Sequence, residues 1–452
     1  MNIRTSRLSI FASLLFCTAL AFSPVSQAQG KLIRIGLVTF LSGPAAASLG
    51  IPARLAAEAI VSSLNSGSAP APYTTRGFGG SKLELVLIDE AGGTARQVAV
   101  LRNLVTRKQV DFVVGYTGDG NCLAIAPVAE ELRTITVLLD CGTPRIFEEA
   151  SYRYVFRTRS HSTMDAVAGA LYLMENRPAL RSLGGINQNY AWGRESWTDF
   201  SAAMLSLNPD LTITTSQWAK FGSGNYAAEI AALGRSDSDV VYSSFWGDDL
   251  EAFMPQAMAK NLFSRSQLML VAGEAHLRRL AGSIPDGSIV GARGTNGVFA
   301  PRSPLHDWLQ QIYFERAGDV PNYPAYSMAQ GLLGLKSAYE KAKGQIAPGT
   351  KQRNPGIDAI IAAFEYQSFE TPSGKVLMKL GRGHQAVTGT AYGTTRTVNG
   401  RITIGNIKHY AVERVQPPEG VKSLDWINSG MNPGGWLSPR TSPRQSTGDA
   451  TE

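Results

Sequence analysis

Two strand–loop–helix units follow each other between Asp111 and Thr143, and they constrain the fold more than any other stretch of the sequence. The first strand pattern is short, apolar and rich in β-branched residues, as expected of a strand that is buried on both faces. Glycines in the loops allow the backbone to turn, and the apolar residues that follow recur at helical spacing. The segments are, in order, strand 111–115, loop 116–121, helix 122–133, strand 134–139 and loop 140–144.

The two loops are candidates for a ligand site. In open parallel sheets, small ligands bind beyond the carboxyl ends of the strands, beside helix N-termini whose free N–H groups favour anionic groups. Loops 116–121 and 140–144 offer hydroxyl groups, glycines and N–H donors at this position. We therefore predict that they form half of a small-molecule site; two ordinary strand-to-helix turns are the alternative.

The alternation of strand and helix continues along the chain in two series. Repeated units of this kind predict an α/β fold with two lobes, each a doubly wound parallel sheet with right-handed crossovers. A cleft between two such lobes is where small ligands prefer to bind. The predicted strands are 32–40, 83–89, 111–115, 134–139 and 154–158 in the first series, and 182–186, 211–217, 239–244 and 267–271 in the second. Later helices are predicted at 304–317, 326–343 and 357–364.

The N-terminus has the pattern of a secretory signal peptide, which we predict to span 1–28. A basic start is followed by the apolar stretch 8–22, and Ser26-Gln27-Ala28 fits the small-x-small cleavage rule. A membrane anchor is the weaker alternative, because the apolar run is short and Pro24 closes it. The pattern predicts an exported, soluble protein. The other end, 416–452, is predicted to be a largely disordered tail.

Cleavage of this signal leaves two cysteines, Cys122 and Cys141, an even number in an oxidising compartment. If their strands are neighbours, about 4.8 Å apart, the two sulfur atoms can meet. A disulfide that closes a loop of this size stabilises by roughly 3 kcal/mol through its effect on the unfolded state. We predict this disulfide; two buried free thiols are the alternative.

Composition and motifs argue against several classes of function. The formal net charge of +7 is spread along the chain, with no basic cluster interleaved with aromatic residues, so nucleic-acid binding is not expected. The five histidines are scattered without metal-ligand spacing, and there is no nucleophile-elbow pattern. Gly115-x-x-Gly118-x-Gly120 has the spacing of neither a dinucleotide fingerprint nor a phosphate loop. We expect no enzyme activity, no cofactor and no metal.

An ordered set of short motifs resembles the leucine- and branched-chain-amino-acid-binding family of periplasmic solute receptors, which feed ABC transporters. The order and spacing hold from about Leu32 to Val415, which is nearly the whole mature chain. The motifs are Ile35-Gly36, Leu41-Ser42-Gly43-Pro44-Ala45-Ala46, Pro127-Val128-Ala129-Glu130-Glu131, Phe156-Arg157-Thr158, Tyr190-Ala191-Trp192-Gly193 and Phe369-Glu370-Thr371-Pro372-Ser373-Gly374.

The resemblance implies the type I periplasmic binding fold, in which two lobes joined by a three-strand hinge close around one small ligand. Lobe 1 is then expected at 31–156 and 290–390, and lobe 2 at 157–289 and 391–415. The chain would cross between them near 156–158, near 289–292 and between 385 and 402. The implied partners are a small-molecule ligand and the permease subunits of an ABC transporter, and we expect a monomer. A ligand-sensing protein that presents its ligand to a membrane receptor or kinase is the alternative.

The resemblance also implies roles for individual residues. The ligand's carboxylate would be held by hydroxyl and N–H groups of two lobe-1 loops, aromatic side chains of lobe 2 would close over the ligand, and an acidic residue would take its ammonium. The matching residues here are Thr117, Gly118 and Asp119 in the first loop, Cys141, Gly142 and Thr143 in the second, the aromatic residues Tyr190, Trp192, Phe245 and Trp246, and the acidic Glu274.

Two carboxylates depart from the family pattern, because Asp119 and Asp140 stand where relatives often carry uncharged residues. A second carboxylate in the cleft would repel a ligand's carboxylate or recruit a cationic or amide group. For Asp119 the alternative is a helix cap that points away from the ligand, and for Trp192 and Trp246 it is packing in the core or at the rim. Simple leucine, isoleucine or valine specificity is therefore not predicted; amino acids, amides, urea and aromatic acids remain open.

Overall fold

The computed structural model describes residues 31–432, so the predicted signal peptide and the last residues, 433–452, lie outside the described range. Strands and helices alternate through most of it. The strands are β1 (Ile33–Thr39), β2 (Leu83–Asp89), β3 (Phe112–Gly115), β4 (Thr136–Leu138), β5 (Val155–Arg157), β6 (Ser182–Gln188), β7 (Thr212–Ala219), β8 (Val240–Ser243), β9 (Gln267–Leu270), β10 (Ile289–Gly291), β11 (Ser368–Thr371), β12 (Gly374–Leu380), β13 (Gln385–Val387), β14 (Thr390–Val398) and β15 (Arg401–Tyr410). The helices are α1 (Ile51–Ser66), α2 (Thr94–Thr106), α3 (Asp119–Glu131), α4 (Arg145–Glu148), α5 (Ser162–Asn176), α6 (Ala191–Leu207), α7 (Ala227–Ser236), α8 (Gly247–Ala259), α9 (Pro304–Ala317), α10 (Tyr323–Gly344), α11 (Ile357–Phe364), α12 (Val412–Val415) and α13 (Ser423–Asn428).

The strands form two sheets, one in each lobe. Lobe 1 is built on an eight-stranded sheet in the order β11-β12-β13-β5-β4-β3-β1-β2, and lobe 2 on a seven-stranded sheet in the order β15-β14-β10-β9-β8-β6-β7. Most neighbours are parallel, because helices on both faces carry the chain back between consecutive strands. The predicted α/β class with two doubly wound lobes is confirmed.

Each sheet also carries antiparallel strands at one edge. In lobe 2, β14 and β15 form a hairpin whose turn residues, Asn399 and Gly400, have positive φ angles of 51° and 73°. Both residue types tolerate this conformation, which a two-residue hairpin turn requires. In lobe 1, β11, β12 and β13 pair antiparallel. The sheets are therefore mostly, but not entirely, parallel.

The chain passes from one sheet to the other three times: after β5, after β10, and between β13 and β14. Parallel strand ends of the two lobes face each other across these crossings. Apolar side chains fill both faces of each sheet, and the long helix α10 is buried along most of its length against lobe 1. None of the helices within residues 31–432 is long and apolar enough to cross a membrane.

The structure corrects the expected start of the C-terminal tail. Residues 416–432 are folded against both lobes: α13 packs on α6 of lobe 2 with the side chains of Trp426 and Ile427 buried, and Ser423 bonds to Glu148 of lobe 1. The apolar pair is short and surrounded by proline, serine and glycine residues, so composition alone does not distinguish it from a disordered segment. The remainder of the predicted tail, 433–452, lies beyond the described residues.

Candidate functional site

A pocket lies between the lobes, where the strand ends of both sheets meet. The space between its walls is about 280 Å³, part of which is open to solvent. It is lined by Leu49, Thr117, Asp119, Asp140, Gly142, Tyr190, Trp192, Trp246, Ala272, Arg293 and Tyr323. We call this the interlobe pocket.

The first lobe-1 loop, after β3, has its N–H donors occupied by a carboxylate of the protein itself. The amides of Thr117 and Gly118 donate to the side chain of Glu90 at 2.8 Å each, and the Asn121 side-chain amide donates at 3.1 Å. Glu90 is fully buried, and burial raises the pKa of its carboxyl to about 7 against the lowering effect of these hydrogen bonds. A ligand's carboxylate therefore has no free N–H group at these two amides.

Asp119, the first residue of α3, reaches across to the second loop. Its Oδ1 accepts a hydrogen bond of 2.6 Å from the amide of Gly142, whereas Oδ2 has no hydrogen-bond partner among the described residues. Burial raises the pKa of Asp119 to about 6, although the nearby Arg293 favours the charged form. The hydrogen bond of this side chain goes to Gly142 and not to its own helix, and Asp119 lines the interlobe pocket, which differs from the alternative of a helix cap that points away from the ligand.

Arg293, just after β10, brings a positive charge into the pocket. Its Nε and Nη2 donate to Oδ1 of Asp140 at 3.1 and 3.0 Å, and its Nη1 lies 3.7 Å from Asp165 without a hydrogen-bond partner within residues 31–432. Burial acts against the charge, but the attraction of Asp140 and Asp165 raises the pKa of Arg293 above its usual value. Arg159 also pairs with Asp140, which balances the buried charges.

Aromatic rings form the rest of the wall. The guanidinium of Arg293 lies 4.0 Å from the ring centre of Trp192, whose indole N–H donates to the carbonyl of Ser244 at 2.9 Å. The indole N–H of Trp246 donates to the hydroxyl of Tyr190 at 2.8 Å. Because these polar atoms are already bonded, both tryptophans present apolar surface to the pocket while packing in the lobe-2 core. Trp192 and Trp246 therefore both pack in the lobe-2 core and line the interlobe pocket.

A model of the family described as periplasmic binding protein matches residues 32–397. The chain belongs to this family. It is a family of solute-binding proteins rather than enzymes, so the expected absence of catalysis agrees with the family assignment.

Similar proteins are solute-binding proteins of the same kind. The Leu/Ile/Val-binding protein homolog 4 of Brucella melitensis is 22% identical over 383 residues, which cover 82% of this chain and 85% of that protein. A solute-binding protein of an ABC transporter from R. palustris, solved with benzoate, superposes with a TM-score of 0.71 at 19% identity, covering 86% of this chain and 99% of that one. An amino acid ABC transporter substrate-binding protein from Pseudomonas fluorescens gives a TM-score of 0.71 at 15% identity, covering 84% and 97%. These structural likenesses show that the fold is shared.

The interlobe pocket of this periplasmic binding protein contains part of the residue set predicted from the sequence. The residues that the structure brings together there are Thr117, Asp119, Gly142, Tyr190, Trp192 and Trp246. Five others lie outside the lining, namely Gly118, Cys141, Thr143, Phe245 and Glu274. The amide of Gly118 donates its hydrogen bond to Glu90, and Cys141 forms a disulfide with Cys122.

The placement of Phe245 and Glu274 differs from the expectation for a physical reason in each case. Phe245 turns into a separate lobe-2 core cluster, where it packs against Tyr226 and Phe253. Glu274 accepts a hydrogen bond of 2.9 Å from the amide of Tyr323 at the start of α10, and burial raises its pKa to about 7. It therefore joins a lobe-2 loop to a lobe-1 helix and does not face the pocket.

The sequence reasoning missed four lining residues and recognised Asp140 only as a departure from the family pattern. Arg293 directly follows the crossing expected near 289–292, so the rule that ligands bind at strand ends identifies it once applied to the crossings. Tyr323 lies just before a predicted helix, Leu49 lies between the first two predicted strands, and Ala272 follows a predicted strand. These three residues carry no chemical signal that distinguishes them from neighbouring apolar residues.

Proposed function

We propose that this chain is the solute-binding component of an ABC importer, which captures a small organic acid or amino acid in the interlobe pocket and delivers it to a membrane permease. The observation that supports this most directly is the composition of the pocket. Four aromatic rings surround one cationic side chain, Arg293, and two carboxylates, Asp119 and Asp140. Arg293 and Asp119 each have one hydrogen-bonding atom without a partner among the described residues.

The two free atoms indicate the polar groups of the ligand. Nη1 of Arg293 can donate to a carboxylate, and Oδ2 of Asp119 can accept from a hydroxyl or an ammonium group. The N–H groups of Thr117 and Gly118 serve Glu90, so the recognition of an anionic group falls to Arg293. A hydroxylated aromatic acid and an amino acid both satisfy this pair.

Capture requires closure of the lobes. Asp119 and Gly142 belong to lobe 1, whereas Tyr190, Trp192 and Trp246 belong to lobe 2, so only a closed state makes both sets of contacts. A closed monomer in the periplasm then docks on the permease. With the correct ligand, small-angle scattering should report a smaller radius of gyration.

A thermal-shift panel of benzoate, 4-hydroxybenzoate, leucine and other amino acids tests the proposal. A cognate ligand at a hundredfold excess over its dissociation constant stabilises by about 2.7 kcal/mol. The proposal fails if no member of the panel raises the melting temperature.

Calorimetry on Arg293→Met and Asp119→Asn then separates the two ligand classes. Removing one partner of a buried charge pair costs about 2–5 kcal/mol, or roughly thirtyfold or more in affinity. An amino acid, with two charges, should lose affinity in both variants. An aromatic acid should lose most of its affinity with Arg293→Met and much less with Asp119→Asn. Unchanged affinity in both variants would remove these residues from the site.

A further inference from the structure

A second cavity, of about 550 Å³, lies beside the crossings between the lobes. Lobe 1 contributes Phe147 and Leu380 to its wall, the first crossing contributes Arg157 and His161, and the C-terminal segment 417–422 closes it. None of its lining residues lines the interlobe pocket. We call it the hinge cavity.

Arg157 is a buried cation with no carboxylate at ion-pair distance among residues 31–432, although Asp119 and Glu148 attract its charge from farther away. Its Nε donates to Gln385, and its Nη1 donates to the backbone carbonyls of Cys141 and Thr143. Its Nη2 has no hydrogen-bond partner, and the guanidinium makes no ion pair within residues 31–432. The buried Arg293, by contrast, pairs with Asp140. Because burial removes the hydration of a charge, an anion beside Arg157 would be favoured.

His161 offers a second polar atom in the same cavity. Its side chain is 3% exposed, and its Nδ1 has no partner among the described residues. Burial, together with the positive charge of Arg157, lowers the pKa of His161 well below its usual value, so the ring is neutral. A neutral imidazole can donate one hydrogen bond to an anion.

The remaining wall of the hinge cavity is suited to contact the compact apolar part of a ligand. The ring of Phe147 lies 5.6 Å from the guanidinium of Arg157, and Leu380 and three residues of the C-terminal segment add apolar surface. Two carboxylates also line the cavity, but Glu148 accepts from Ser423 and Glu419 accepts from the amide of Arg382.

The wall that closes the hinge cavity lies beyond the part of the chain that matches the family model, which ends at residue 397. This segment is held in place, because the amide of Ser423 donates to Glu148 at 3.0 Å and the side chain of Trp426 is buried. The exposed Lys422 adds a positive charge at the rim. The cavity is thus completed by a segment that follows the residues matched by the family model.

We propose that the hinge cavity is a second binding site, which takes a small organic anion: a carboxylate paired with Arg157 and His161, with a compact apolar body against Phe147 and the C-terminal segment. This site is separate from the interlobe pocket and does not depend on which ligand that pocket takes.

Equilibrium binding of benzoate to the full chain, followed by calorimetry, tests the proposal with variants of the hinge cavity and a matched control. We expect Arg157→Met to weaken one class of benzoate site at least tenfold, and Arg157→Lys, which keeps the charge, to weaken it less. Arg302→Met, the same change at an exposed arginine that lines neither pocket, should leave that class unchanged. If benzoate binds only at the hinge cavity, the result supports this inference while counting against an aromatic acid in the interlobe pocket.

Because Arg157 also holds backbone carbonyls, Arg157→Met can disturb folding, and a surface variant gives an independent test. Lys422→Glu reverses a charge at the rim of the hinge cavity and should weaken the same site several-fold. Lys351→Glu makes the same charge change at an exposed residue that does not line the cavity, and should have no effect.

Competition with inorganic phosphate defines the ligand class further. Displacement of benzoate by phosphate assigns the hinge cavity to small anions in general, and lack of displacement assigns it to organic carboxylates. The inference is overturned if no benzoate site responds to Arg157→Met, or if Lys422→Glu has no more effect than Lys351→Glu.

Discussion

The buried carboxyl group of Glu274 makes the stability of this protein depend on pH in a direction that can be worked out from the structure. Glu274 bonds to the amide of Tyr323, and burial raises its pKa from 4.5 to about 7. The folded state therefore binds more protons than the unfolded state between these two values. Stability from this group is present below about pH 4.5 and is lost as the pH rises through 7.

The magnitude follows from the same two values. Each unit of pKa difference corresponds to about 1.4 kcal/mol, and most of the shift is traversed between pH 5 and pH 8, which gives a loss of about 2–3 kcal/mol. Glu274→Gln keeps the size of the side chain and an acceptor oxygen but does not titrate. The free energy of unfolding of the wild type minus that of Glu274→Gln should fall by this amount between pH 5 and pH 8.

Urea denaturation at several pH values measures this difference. The subtraction of the variant from the wild type cancels the contributions of other buried carboxyl groups such as Glu90. Glu413→Gln, the same change at an exposed residue, is the control. A difference for Glu274→Gln that is constant from pH 5 to pH 8, or that increases, would refute the reasoning.

Three further predictions concern stability. Arg293→Met leaves Asp140 and Asp165 with Arg159 as their remaining cation, and should lower the free energy of unfolding by about 3–5 kcal/mol in urea denaturation; an unchanged value contradicts the pairing. Reduction of the Cys122–Cys141 disulfide should cost about 3 kcal/mol, seen as a lower melting temperature with reductant that a double serine variant reproduces without it. Trp426→Ala should cost about 3–5 kcal/mol and make α13 sensitive to proteolysis, and resistance equal to the wild type would show that the helix is held by other contacts.

Much of the fold could be predicted because its strands are short apolar runs and its helices have clear amphipathic spacing. The predicted bounds of β2, α9 and α11 agree with the structure. Helix α8 was not predicted, because its first turn looks like a strand-end loop and Pro255 interrupts its pattern. The segment 416–432 was missed for a different reason: its order comes from the contacts of two buried residues with α6, which sequence spacing does not report.

The candidate site could be predicted only in part, since the strand-end rule places loops and not side chains. It located Thr117, Asp119 and Gly142. It could not tell that the amides of the first loop are bonded to Glu90, or that Glu274 turns towards α10, because both depend on contacts between residues far apart in the sequence.

Glu90 gives the first loop a resident hydrogen-bond acceptor that cannot dissociate. The N–H groups just before α3 are thereby bonded from within the protein, which does not need a ligand's acid group at that position. In the proposed function, recognition of a ligand's acid group therefore moves from the first loop of lobe 1 to Arg293, just after β10. Replacement of Glu90, the residue that follows β2, by a side chain that cannot accept these hydrogen bonds would free the N–H groups of the first loop for a ligand. In the proposed function, the ligand specificity can then be changed at a position that does not contact the ligand.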